Sequence, residues 1–166
     1  MSMQQIKQNG QLPMTIATTD SGNSNSSQSE NSRFDGLIQK LKGSKISNSK
    51  LRDEVFNILL DDATENPQPD KWYMFEYEPK FKDQLKVWDE FPLIYFLETT
   101  KDRILGANIH YMRSNARLSA INNNKFPVST LHYYIPKNAD SLFFEVNENE
   151  VQLLSLLPLE KFHRNR

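Results

Sequence analysis

The chain has 166 residues, a formal charge of -1 and no cysteine. That length suits one domain of ordinary size with chain to spare. The near-neutral total gives no global basic field to recruit nucleic acid, and the lack of cysteine excludes a disulfide framework, thiolate zinc sites and thiol catalysis.

Residues 1–32 are rich in Gln, Ser, Asn and Thr, and the run Ser21 to Asn31 carries almost no apolar side chain. Such a segment buries too little surface to offset its ordering entropy, so a disordered low-complexity tail is expected. Leu12, Met14 and Ile16 alternate within it and offer a second reading, a strand added to a sheet edge. The N-terminus has no apolar core of a secretory signal. No run approaches the roughly 18 apolar residues that span a bilayer, so no membrane partner is expected.

A helical arm is expected over 33–66. Phe34, Leu37, Ile38 and Leu41 fall at i, i+3, i+4 and i+7, with Ser32 and Asp35 as a start signal and Gly43 as a stop. A second helix is expected from Lys50 to Asp61, capped by Ser49, with Leu51, Val55, Ile58 and Leu59 as its apolar stripe. Pro67 and Pro69 then lead into a β-rich domain over 67–166.

Within that domain Trp72 to Tyr77 reads as a strand, with Tyr73, Phe75 and Tyr77 on one face. The run from Glu78 to Phe91 reads as a long charged turn. Pro92 to Leu97 is a continuous apolar run suited to a buried strand, and Ile104 to Tyr111 reads as its hairpin partner. Gly106 predicts a close backbone approach or a bulge. Ser114 to Ile121 has helical character, while Leu131 to Ile135 and Leu142 to Val146 read as strands. Val151 to Leu157 suits either a helix or a last strand. The fold class that follows is β-rich α+β, a small SH3-like barrel or a bent antiparallel sheet preceded by two helices.

Catalytic patterns are weak. Pro69-Asp70 with Glu78-Pro79-Lys80 imitates a metal-nuclease signature, but a strand between the carboxylates at roughly 3.3 Å per residue would hold them about 20 Å apart. Carboxylates sharing a metal must converge within a few ångströms. His110, His132 and His163 show no ligand spacing, and His110 reads best as a hydrogen-bonded structural histidine. No phosphate-cradling glycine motif occurs. No cofactor and no catalytic or metal-binding residue is therefore assigned. Candidate binding residues are Lys80, Phe81, Lys82, Lys86 and Trp88 in the charged turn, where cations and aromatics interleave as on single-strand binding surfaces. A second cluster is Lys40, Lys42, Lys45, Lys50 and Arg52 in the helical arm. A third is Lys161, His163, Arg164 and Arg166. Each could equally be a solvated face.

The order WYMFEYEPKFKDQL, WDEFPLIYFLE, ILGANIHYM and LPLEKF resembles a small, poorly characterised protein family of T-even-type tailed bacteriophages, marine ones above all. The likeness runs through Tyr73, Phe75, Tyr77, Pro79, Lys80, Lys82, Asp83, Leu85, Trp88 and Asp89. It continues through Phe91, Pro92, Leu93, Ile94, Gly106, Asn108, His110 and Tyr111, and closes on Pro158, Leu159, Glu160 and Phe162. It departs where Lys86 and Val87 replace the family's Pro-Tyr, where Met112-Arg113 replaces Leu-Pro, and in a shortened segment between Ile121 and Leu142. The resemblance implies a phage protein at work in the host cytoplasm or in the virion. The leading reading is a non-enzymatic minor structural or accessory virion component acting through contacts with other phage proteins. The runner-up is a DNA-binding accessory protein for end protection or packaging, and a metal-dependent nuclease comes last.

Overall fold

A computed structural model of the chain describes residues 32–138 and 142–165. The expected tail up to residue 31, with its Leu12–Ile16 stretch, and Arg166 lie outside the described residues. Backbone contacts divide the chain into two units, Met1–Gly36 and Leu37–Arg166. The described part of the first is a short turn in which the Phe34 N–H donates to Ser32 Oγ at 3.0 Å. It opens helix α1, Asp35–Gly43, whose Lys40 and Lys42 sit in the last turn, where the helix dipole favours cations.

In the second unit, helix α2 spans Asn48–Leu59. Its cap is Ser47, whose Oγ accepts the Lys50 N–H at 3.1 Å, so the helix starts earlier than Ser49. Leu51, Val55 and Leu59 of the expected stripe are buried. The strands are β1 (Ala63–Thr64), β2 (Trp72–Met74), β3 (Val87–Asp89), β4 (Leu93–Thr100), β5 (Arg103–Asn108), β6 (Leu131–Tyr134), β7 (Phe143–Val146) and β8 (Phe162–Arg164). Helix α3, Ser114–Asn123, connects β5 to β6, and helix α4, Glu148–Leu156, follows β7.

Six strands form one antiparallel sheet in the order β1-β7-β2-β4-β5-β6, and β3 pairs with β8 in a separate ribbon. The α+β class stands. The sheet is open at β1 and β6, so the described residues contain no closed barrel. β2 lies at the centre with all of Trp72, Tyr73 and Met74 buried. It is shorter than the expected Trp72–Tyr77 strand, because the chain leaves the ladder after Met74. The alternation nevertheless persists: Tyr73, Phe75 and Tyr77 join Ile94, Phe96, Ile104, Tyr134 and Phe143 in one core cluster. Phe75 meets Tyr134 edge-on at 5.3 Å, and Tyr77 meets Tyr134 at 5.0 Å. This geometry favours contact between ring edge and ring face.

Gly106 answers to close approach. A Cβ there would lie 2.7 Å from Ile94 Cδ1 on the neighbouring strand, so any larger residue would force the Ile94 side chain to shift. Val151 to Leu156 turns out helical. Asn147 and Glu150 form a reciprocal capping box, with the Asn147 N–H donating to Glu150 Oε1 at 3.2 Å. No helix of the described residues is long and apolar enough to cross a membrane.

Candidate nucleic-acid interface

The charged turn after Tyr77 is more ordered than its composition suggests. A single 3-10 turn covers Lys82–Gln84, and then β3 pairs with β8 in the register Val87↔Arg164, Trp88↔His163, Asp89↔Phe162. Pairing continues beyond the strands, where the Asn165 N–H donates to the Lys86 carbonyl at 3.0 Å. The Asn165 side-chain amide donates to the carbonyls of Lys82 and Leu85. The ribbon therefore brings Lys82 and Lys86 close to Arg164 and Asn165, about eighty residues away in sequence.

One buried carboxylate fastens the ribbon. Asp89 Oδ2 meets His110 Nδ1 at 2.7 Å, with both side chains fully buried. Asn108 Nδ2 donates to the same oxygen at 3.1 Å. Asp89 Oδ1 accepts the N–H groups of Phe91 and Lys161, each at 3.1 Å. Burial acts to raise the Asp89 pKa, but the His110 ring and the converging donors outweigh it and hold the carboxyl below its ordinary 3.8. Asn108 Nδ2 also donates to the Tyr134 hydroxyl at 3.3 Å. Burial, helped by Asp89, pushes the neighbouring Tyr111 phenol up to about 12. His110 is thus a buried, hydrogen-bonded structural residue. Around the same corner the Arg117 guanidinium donates to the carbonyls of His110 and Ser155 and reaches Glu160 at 3.4 Å.

On the outside, a cleft of about 480 Å³ is lined by residues that include Glu76, Lys82, Trp88, Glu90, His163 and Arg164. With Glu78 and Asp83 also in the lining, carboxylates outnumber cations there, and Glu78 and Glu90 are paired. His163 Nε2 lies 2.6 Å and Lys161 Nζ 3.1 Å from Glu90 Oε2, and Lys82 pairs with Glu78 at 3.2 Å. Burial works to raise the Glu90 pKa, yet its bonds to His163 and Lys161 prevail and leave it below the ordinary 4.5. Lys80, Lys86 and Arg164 have no carboxylate partner among the described residues. Of the cations in residues 80–86 and 161–164, these three are the ones without such a partner.

Two expected binding residues change character. Trp88 is not an exposed contact: it is only 8% exposed, stacked on His163 at 4.2 Å and 14°. Arg52 is likewise buried, with its guanidinium 4.8 Å from the Phe91 ring. Lys40 is tied to Glu54 at 2.8 Å, which leaves Lys42, Lys45 and Lys50 as the open part of the helical cluster. Phe81 stays where the sequence put it, 59% exposed between Lys80 and Lys82. Asn108 and His110 are near neighbours in sequence, and the Asp89 that joins them, some twenty residues earlier, had no local signature.

The carboxylates of the nuclease-like pattern line different clefts. Asp70 faces Tyr95, Asn124 and Glu145, whereas Glu78 faces Trp88 and Glu90. No group of three or more His, Asp or Glu side chains among the described residues is placed to hold a metal ion.

Comparison with known families places the chain among T4-type phage proteins. The family described as Phage T4 terminal DNA protecting protein matches residues 26–126, and the chain belongs to that family. The match takes in α1, α2, β1 to β5, α3 and the 80–86 loop, and stops short of β8. No curated protein and no solved structure matches the chain.

Proposed function

We propose that this protein binds the ends of linear phage DNA and shields them from exonucleases, with Lys80, Lys86 and Arg164 as its principal phosphate contacts. The observation that supports this reading is the β3–β8 ribbon, which brings the chain around Lys86 next to the chain around Arg164 in a member of a DNA-protecting family. The total charge of -1 and the carboxylates Glu76, Glu78, Asp83 and Glu90 near the ribbon work against phosphate binding, and the pairing of Glu78 with Lys82 and of Glu90 with Lys161 offsets part of that repulsion. Contacts to phosphate supply affinity without sequence preference, which suits a protein that meets whatever sequence lies at an end. The work is done in the host cytoplasm, with DNA rather than another phage protein as first partner. A copy retained on packaged DNA would also be a minor virion component, and mass spectrometry of purified virions tests that.

The direct test is digestion of a linear duplex by a double-strand exonuclease. Wild-type protein should protect the ends, and the combined variant Lys80→Gln, Lys86→Gln, Arg164→Gln should not. Each lost phosphate contact should also lower the slope of log K against log salt by about 0.9. Protection and salt slope unchanged in the triple variant would remove the ribbon from the binding surface. Failure of wild-type protein to protect would overturn the end-binding reading.

A further inference from the structure

We infer that Phe81, backed by Leu85, is the platform on which the terminal base pair stacks. This rests on the end-binding reading and names how an end is told from the interior. Cations cannot make that distinction, because phosphates recur along the whole duplex. What an end alone presents is the open π-face of its last base pair. An aromatic ring recognises that face by stacking, whatever the base.

Phe81 is built for such a contact. It is 59% exposed and Leu85 is 40% exposed, on either side of the Lys82–Gln84 turn. An apolar pair on show is ordinary in a mobile loop, but this loop is held. The Gln84 N–H donates to the Phe81 carbonyl at 3.0 Å and the Leu85 N–H to the Lys82 carbonyl at 3.2 Å. The Asn165 side chain clamps the carbonyls of Lys82 and Leu85 from the ribbon side. The ring is thus displayed on a fixed turn, with little ordering left to lose on binding. Lys80 Nζ lies over one face of the ring, 5.3 Å from its centroid, so a base would take the other face or displace the ammonium, and Lys86 follows Leu85 directly. Apolar tip and flanking cations together match the end of a duplex, a stacking face bordered by phosphates. Trp88, the other aromatic of the segment, is occupied by His163 and cannot serve.

The test compares a blunt linear duplex with a closed minicircle of the same sequence, and places 2-aminopurine either at the terminal pair or at the centre. Wild-type protein should favour the linear form and change the fluorescence of the terminal probe only. Phe81→Ala should lower the preference for the linear form about tenfold and abolish the terminal signal. It should leave the salt slope and the melting temperature unchanged, since the ring is exposed. Phe81→Trp should restore both lost properties. If Phe81→Ala keeps the preference and the signal, the stacking inference falls while end binding stands. If wild-type protein binds linear and closed DNA equally, end binding itself falls and the inference with it.

Discussion

The core of the six-stranded sheet is held by rings, and the β3–β8 ribbon is held by a carboxylate. Tyr73, Phe75, Phe96, Tyr134 and Phe143 fill the first with apolar burial and edge-to-face ring contacts. The second has three residues per strand, with Val87, Trp88 and Phe162 as its apolar side chains and exposed cations at Lys86 and Arg164. Asp89 adds to that modest burial directed bonds to His110, Asn108 and the backbone of Phe91 and Lys161. Such bonds fix where the ribbon sits even when they add little net stability. A surface that must stay polar and charged can be positioned this way without being buried.

The largest effect should come from breaking the ring side of this contrast. Phe75→Ala should cost about 3–5 kcal/mol in urea unfolding, because Phe75 is fully buried among Tyr77, Tyr134 and Phe143. A loss under about 1 kcal/mol would show that the core closes without it. DNA affinity of the folded fraction should be unchanged.

Asp89→Asn should cost less, about 1–3 kcal/mol, since it sets amide hydrogens against the Asn108 donor and the His110 ring inside the protein. Unlike the Phe75 variant it should also weaken end protection, as the ribbon loses its position. Full protection in a destabilised Asp89→Asn protein would separate the fastening from the function.

A smaller effect should appear in acid. Asp89 and Glu90 are both held below their ordinary values of 3.8 and 4.5. Carboxyls depressed in the folded state contribute stability above those values and lose it as pH falls through the folded ones. The melting temperature should therefore drop as pH descends from about 4.5, and Asp89→Asn should flatten that drop. Equal slopes in the two proteins would mean the acid sensitivity lies elsewhere. The least effect is expected from Lys42→Gln, Lys45→Gln, Lys50→Gln on the helical arm, within about 0.5 kcal/mol in stability. Its exonuclease protection should exceed that of the ribbon triple variant, and the opposite order would move the DNA surface to the helices.

Most of the main sheet could be read from residue order, because its strands carry their own signals. Pro92 to Leu97 is apolar without interruption, and the alternation of Tyr73, Phe75 and Tyr77 marks an inward face whether or not the backbone stays in the ladder. The ribbon could not be read. Val87, Trp88 and Asp89 stand in a charged run with no period, and what makes them a strand is Phe162 to Arg164 far along the chain. The same distance explains Trp88: charged neighbours suggested exposure, while its covering ring, His163, is nonlocal. Ala63–Thr64 is too short to leave a pattern at all. Of the candidate site, the lysines and Phe81 were legible as types, and their convergence was not.

The order of the sheet has a bearing on how the chain reaches this fold. β2 is central, with Trp72 opposite Tyr95 on one side and Val146 on the other. Its second ladder therefore closes over on the order of seventy residues, and such nonlocal pairing places folding at roughly milliseconds to seconds rather than microseconds. During that interval Trp72, Tyr73 and Met74, all buried at the end, present an unpaired apolar edge that a second chain can join. Refolding yield should consequently fall with protein concentration well before equilibrium stability becomes limiting.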